Sequence, residues 1–246
     1  MQNELKVLYV VGEGSTHENM ELRWSLRSLD KHCPGAVPVI VGTVPSWFKG
    51  ESLPCEDESP RKEKNIMRKV LAAIEAKLVT GEFQISADDH FWIADTDLSK
   101  LPIYFREPIL PDYTGEGNNY AKAMAGTRGV LLNTGYPALN TTCHCNAWVH
   151  ACDFPTVQRL MGMAENDSFA REYGLVTWAV WPNVCIEQHL HVIAQRHDLK
   201  YRGEKPFEAW MFDCNDMFSI NDLAFQCTDF MNYMEANFSG KSRWEK

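Results

Sequence analysis

The chain has 246 residues, 45% of them hydrophobic and 23% charged, with a formal net charge of −9. That is the composition of a globular protein with a core of its own, at a length suited to a single domain spanning 1–246. The acidic balance argues against a general polyanion-binding surface, although it leaves room for a local basic cleft. No apolar run approaches the ~20 residues that cross a bilayer, and Met1-Gln2-Asn3-Glu4 lacks the basic start and apolar centre of a signal peptide. The expectation is a cytoplasmic protein without membrane insertion. Its eight cysteines (33, 55, 143, 145, 152, 185, 214, 227) are scattered with no CxxC pair. Cys143-His144-Cys145 is too tight for ordinary ligand spacing, so free thiols and no zinc site are expected.

In chain order, Leu5–Val11 (LKVLYVV) is apolar and β-rich and reads as a buried first strand. Gly12-Glu13-Gly14-Ser15 follows as a loop whose glycines would let backbone approach a ligand. Asn19 is placed to cap a helix over 20–31, with Leu22, Leu26 and Leu29 on its core stripe. Arg23 and Arg27, four apart on another stripe, read either as a solvated face or as a basic functional one. Val37–Val41 is a second strand, and the β-α-β spacing predicts a parallel pair with a right-handed crossover. Residues 42–60 read as a loop. A helix is predicted over 61–78, with Asn65, Arg68 and Lys69 sharing a face that is either solvated or able to hold a diphosphate.

Phe83-Gln84-Ile85-Ser86 alternates like a short strand and ends in Asp88-Asp89-His90, after which aromatic residues resume. Adjacent carboxylates repel unless a positive charge sits beside them. A hard divalent cation such as Mn²⁺ or Mg²⁺ is the usual answer, although an acidic turn is the plainer alternative.

Beyond it, 101–110 looks extended and 111–120 is a glycine-containing loop suited to a lid. Residues 133–136 form a turn, 140–150 a polar cluster and 154–163 a short helix. A helix is expected over 184–196, carrying Glu187 and His191. Phe218-Ser219-Ile220-Asn221-Asp222 is read as opening a last helix to about residue 237, and 239–246 as a polar tail. Trp148, Trp178, Trp181 and Trp210 could stack on a base or sugar, though core packing accounts for most such residues.

Four of these blocks together resemble one family. Residues 19–48 (NMELRWSLRSLDKHCPGAVPVIVGTVPSWF) resemble the E-L-R-Y-S-L-R-S pattern and V-P-x-W-L ending of the Stealth-type proteins, which are capsule-building and lysosomal-tag sugar-phosphate transferases. Residues 86–92 resemble the N-D-D-H-F block of smaller bacterial and phage relatives. Residues 140–155 resemble a block carrying a functional histidine, here His144. Phe218–Asp222 and the closing Lys241-Ser242-Arg243-Trp244-Glu245 resemble the S-I-N-D block and its terminal partner.

The resemblance implies an α/β fold: one GT-A-like domain with a mixed, mostly parallel sheet and flanking helices. It also implies an enzyme using a nucleotide-diphospho-sugar, UDP-linked by analogy. Asp88 and Asp89 would bind Mn²⁺ or Mg²⁺, with His144 and Asp222 as candidate bases and Asn221 lining the site. Arg23, Arg27, Asn65, Arg68 and Lys69 are the candidate donor contacts. The Stealth opening D-V-V-Y-T-W-V-N-G is absent, and Ala87 stands where the family has Asn. Sugar transfer is therefore placed above sugar-phosphate transfer. The acceptor would be a surface saccharide or a hydroxymethylated DNA base. The competing reading is a non-catalytic nucleotide-sugar-binding module.

Overall fold

The computed structural model describes residues 4–13, 17–112, 117–211 and 214–246. Strand β1 (Leu5–Val11) is followed by α1 (Met20–His32), β2 (Ala36–Gly42), β3 (Ser52–Pro54), α2 (Lys62–Glu75), β4 (Glu82–Ser86), β5 (His90–Trp92) and β6 (Ile103–Phe105). Then come α3 (Asn119–Asn133), β7 (Ala147–His150), α4 (Phe154–Ala164), α5 (Ser168–Tyr173), α6 (Thr177–Gln188), β8 (Ile193–Gln195), β9 (Lys200–Tyr201), α7 (Phe207–Met211), β10 (Met217–Ile220) and α8 (Thr228–Phe238). The central sheet has the order β3-β2-β1-β4-β7, and only β7 runs antiparallel to its neighbour. The protein is thus mixed α/β with a mostly parallel sheet and flanking helices.

Strand β1 explains why the sheet is buried on both faces. Leu8 and Val10 pack with Val39, Val41, Phe83 and Ile85 against α2 and α6. The alternate residues Val7, Tyr9 and Val11 pack with Ile40 against Leu22, Leu26 and Leu29 of α1. A strand covered on both sides needs apolar residues at every position, and LKVLYVV supplies them. A second sheet, β5-β10-β9, lies beyond α1, where Trp24, Phe91, Phe218 and Phe230 form a separate aromatic core with α8. Among the described residues no helix is long and apolar enough to cross a membrane.

Several elements differ from expectation. The 42–60 loop contains β3, which adds a parallel edge strand to β2. Helix α2 stops at Glu75, because Lys77 adopts a left-handed φ of 56° and turns the chain toward β4. Asn19 sits at the N-terminus of α1, but at φ 57° its side chain makes no capping hydrogen bond. Helix α3 has no counterpart in the expected elements. It is rich in Ala and Gly, and a Cβ on Gly126 would lie 2.4 Å from the Ala170 backbone nitrogen, so close contact with α5 selects a small residue.

The expected 184–196 helix is displaced toward the N-terminus: α6 begins at Thr177, passes through Pro182 and ends at Gln188. Glu187 and His191 therefore do not share a helical face. Phe218-Ser219-Ile220 is strand β10, not a helix start, because it pairs with β5 and β9. The closing segment is pinned: Glu245 bridges to Phe48 and is only 2% exposed. Residues 113–116 of the expected lid and 14–15 of the glycine loop lie outside the described residues.

Candidate functional site

Strands β3, β2, β1 and β4 are parallel, so their C-terminal ends share one edge of the sheet. From β1 the chain builds outward through β2 and β3 on one side, then places β4 on the other. The order reverses between β1 and β4, which is where open α/β sheets leave a ligand crevice. Asp88 and Asp89 lie immediately beyond β4, both half-buried, before the chain leaves for the second sheet as β5.

Register brings the remaining groups to them. Ser219 of β10 stands opposite His90, and Lys200 of β9 stands opposite Ser219. The Ser219 hydroxyl donates to Asp89 Oδ2 at 3.1 Å, and Lys200 Nζ lies 3.5 Å from the same oxygen. His90 is buried, with Nδ1 3.3 Å from Asn146 Oδ1 and Nε2 3.8 Å from Asp89 Oδ1. His144, at a left-handed φ of 52°, turns its Nδ1 to Asp198 Oδ1 at 2.7 Å. Asp198 in turn accepts from Arg202 at 2.6 Å and from the Lys200 backbone at 3.1 Å. A neutral His144 donating through Nδ1 leaves its Nε2 lone pair available, and no described residue hydrogen-bonds that nitrogen.

The two aspartates are electrostatically unequal. Burial, reinforced by the charges of Asp89 and Glu21, pushes Asp88 up to about 7, with Lys62 opposing. Burial acts on Asp89 the same way, but His90, Lys200, His144 and Lys62 outweigh it and hold that carboxyl below its ordinary value. Burial lowers His90 to about 4, so near neutral pH the imidazole is uncharged and Lys200 and Lys62 are the standing cations. Asp198 is also held low: burial opposes this, but the hydrogen bonds from His144 and Arg202 prevail. Among the described residues no cation forms an ion pair with Asp88. Among the described residues no third His, Cys, Asp or Glu converges on Asp88 and Asp89 either. Two hard carboxylates lacking a full counter-charge, with the remaining positions open to water and phosphate oxygens, suit Mg²⁺ or Mn²⁺.

Two adjoining clefts flank this centre. One, of about 310 Å³, is lined by Asp198, Lys200, Tyr201, Arg202, Glu204, Lys205 and Trp210. The other, of about 380 Å³, is lined by Arg106, Glu107, Pro111, Tyr120, Met124, Asn140, Thr142, His144 and Arg202. Lys200 joins the first cleft to Asp89, and Arg202 borders both.

The other expected site residues go elsewhere. Arg23 and Arg27 ion-pair with Glu245 at 2.9 and 2.7 Å, and Arg23 also lies over the Trp47 ring. Asn65 exchanges hydrogen bonds with the Ser59 backbone, and Arg68 pairs with Glu58. Lys69 is buried, donating to Val11 O at 2.9 Å and pairing with Asp57 at 2.6 Å. These three side chains fasten the 56–59 segment to α2 and present no open basic face. Asp222 is exposed at the start of a short 3₁₀ turn, and among the described residues it makes no hydrogen bond or ion pair with the aspartates; Ser219, three residues earlier, makes that contact. Asn221 precedes the same turn with its buried Oδ1 unpartnered. Of the four tryptophans, Trp148 and Trp181 are core, Trp178 packs edge-on to His90, and Trp210 lines a cleft.

Asp198, Lys200 and Arg202 were missed, yet they carry a signal. In Asp198-Leu-Lys200-Tyr-Arg202 the polar residues alternate with buried Leu199 and Tyr201, the period of a strand with one functional face.

No family model matches the sequence, and no curated protein matches it. Among solved structures, the crystal structure of a glycosyltransferase involved in the glycosylation of the major capsid of PBCV-1 aligns over 94% of this chain and 98% of that one, at 10% identity and a TM-score of 0.43.

Proposed function

We propose that the protein is a metal-dependent glycosyltransferase that moves a sugar from a nucleotide-diphospho-sugar, UDP-linked in the first instance, to an acceptor hydroxyl. One observation carries this reading: Asp88 and Asp89 sit at the sheet's switch point with a deficit of positive charge, beside a histidine oriented by a carboxylate. A Mn²⁺ or Mg²⁺ ion held by Asp88 and Asp89 would supply Lewis-acid neutralisation of the departing diphosphate.

The chain's own residues supply the rest. Lys200 and Lys62 add positive charge on the leaving-group side. Ser219 and Lys200 fix Asp89, so its free oxygen keeps one orientation. His144 is the base: its Nε2 takes the acceptor hydroxyl proton as the new glycosidic bond forms, while Asp198 holds Nδ1–H and stabilises the resulting imidazolium. His144 takes this role in preference to Asp222, which has no such partner. The clefts beside it mix both signs of charge, Arg106, Lys200, Arg202 and Lys205 with Asp198, Glu107 and Glu204, and carry Tyr120 and Trp210 as stacking surfaces. A mixed polar rim with aromatic faces suits a saccharide or a single flipped hydroxymethylated base.

The test is incubation with a panel of nucleotide sugars and Mn²⁺, offering a hydroxymethylcytosine oligonucleotide and a capsule-type glycan as acceptors. Release of nucleoside diphosphate with a matching mass gain on one acceptor is expected. Release of nucleoside monophosphate would assign sugar-phosphate transfer instead. Donor binding without release would make the chain a binding module.

A further inference from the structure

A second cluster of ligand-type side chains lies at the other end of β4. Glu82, the first residue of that strand, is in register with His150, the last of β7. Strand β4 carries the chain from Glu82 to Ser86, about 13 Å of extended backbone, before it reaches Asp88 and Asp89. Two short motifs meet here, His150-Ala151-Cys152 after β7 and His189-Leu190-His191 after α6. One ligand atom each from His150, Cys152 and His189 lies within 4.8 Å of the others. The His150 and His189 rings stack at 3.8 Å, and His150 Nε2 lies 2.6 Å from His191 Nε2. Leu190, between the two histidines, is fully exposed, so the neighbouring imidazoles are turned inward.

We infer that His150, Cys152 and His189 form a three-ligand site for a zinc-class transition-metal ion, separate from the acidic centre, with His191 beside it as a neighbour that would have to move to complete a tetrahedron. The donor set selects the metal class: imidazole nitrogen with a thiolate suits Zn²⁺ and excludes Mg²⁺ and Ca²⁺. The surroundings match those of metal-bound histidines. His189 Nε2 lies 3.0 Å from the carboxylate of Asp153, itself only 1% exposed, which orients the ring and leaves Nδ1 for a metal. His150 Nδ1 faces Glu82 at 3.6 Å, leaving Nε2. Two Nε2 atoms at the observed separation must share a proton between them or give it up to a cation. Zn–N and Zn–S bonds of about 2.0–2.3 Å require the three donor atoms to draw together by roughly 1 Å, the stacked His150 and His189 rings to tilt so that both lone pairs meet the ion, and His191 Nε2 to back away from His150; exposed Cys152 is free to follow. The bound ion would staple the segment leaving α6 to the end of β7.

The experiment strips the full chain with chelator, adds Zn²⁺, dialyses, and measures bound metal by mass spectrometry. A parallel Co²⁺ sample is read for its thiolate-to-metal charge-transfer band. One equivalent is expected, weakened at least tenfold in Cys152→Ser and His189→Ala and about 10–100-fold in Asp153→Asn. Cys152 is exposed, so its substitution leaves the fold intact if Asp153→Asn does not. The Asp88→Asn/Asp89→Asn double variant should retain the ion, which separates this site from the proposed catalytic one. No retained zinc, retention undiminished by His189→Ala, or a Co²⁺ spectrum without the thiolate band overturns the inference.

Discussion

Two charged clusters flank α1, and they balance their charge differently. At one, Glu245 is buried and both of its oxygens are engaged, by Arg27 at 2.7 and 2.8 Å, by Arg23 at 2.9 Å and by the Ser242 backbone at 3.0 Å. Burial opposes ionisation there, but the Arg27 hydrogen bonds and their neighbours bring Glu245 down to about 2. At the other, Lys200 pairs with Asp89 and Lys62 acts on both carboxylates, but Asp88 has no ion pair among the described residues and rises to about 7. A closed network holds the fold together; an open one has capacity left for a ligand. On the proposed reading the arginines of α1 belong to stability and the aspartates after β4 to function, although both stood out equally in the sequence.

Breaking the closed cluster has the largest expected effect. Glu245→Ala leaves two guanidinium groups without their buried partner and should cost about 3–5 kcal/mol, or roughly 6–20 °C in Tm. Turnover by the folded fraction should be unchanged. The same pairing makes stability acid-sensitive. Because the folded-state pKa of Glu245 is depressed, its contribution is complete above the ordinary 4.5 and is lost as pH falls toward about 2. Urea titrations at pH 7 and pH 3 measure both effects, and equal losses in Glu245→Ala at the two pH values would contradict the assignment.

Asp89→Asn breaks the open cluster and should do the reverse. Nucleoside diphosphate release should fall by roughly 10²–10³-fold, the scale of losing one charge-stabilising group in a transition state. Tm should move little, since Ser219 can still donate to an amide oxygen. Comparable turnover in Asp89→Asn and wild type would remove the metal-site reading. Next in size, Asp198→Asn should lower kcat by about 10²-fold, the low end of the range of general base catalysis, through loss of the orienting carboxylate. Its signature is a shifted pH profile of kcat; a uniform drop at every pH would reduce Asp198 to a structural partner of Arg202.

The sequence showed these parts unequally. Strands β1 and β2 were legible because continuous apolar runs are what a doubly covered parallel sheet requires. Asp88 and Asp89 were legible because the strand pattern stops at them. The role of Arg23 and Arg27 was not, because their partner lies more than 200 residues away in a tail that reads as polar. Lys69 read as surface for the same reason: its neutralising Asp57 belongs to a loop without periodicity. The His150–His189 cluster was hidden because spacing rules look for ligands close in sequence. Here the two motifs are joined only by the packing of α6 against β7.

The smallest effect is the sharpest discriminator between the two clusters. Asp88 is ionised at pH 3.8 and above in the unfolded chain, but in the folded protein only above about 7. Between those values the folded state holds a proton that the unfolded state has released, so stability falls as pH rises through the window, and the penalty is complete above pH 7. Asp88→Asn removes that charge. It should raise Tm at pH 8 by about 2–4 °C for each kcal/mol relieved, and the gain should shrink toward pH 4. Mn²⁺ at pH 8 should raise the Tm of the wild type and not that of the variant, because an ion bound only by the folded state stabilises it by mass action. Glu245, whose charge is already matched, offers no such gain to any substitution. An Asp88→Asn protein less stable than wild type at pH 8 would mean that Asp88, too, has a counter-ion within the fold, and the contrast between open and closed clusters would fail.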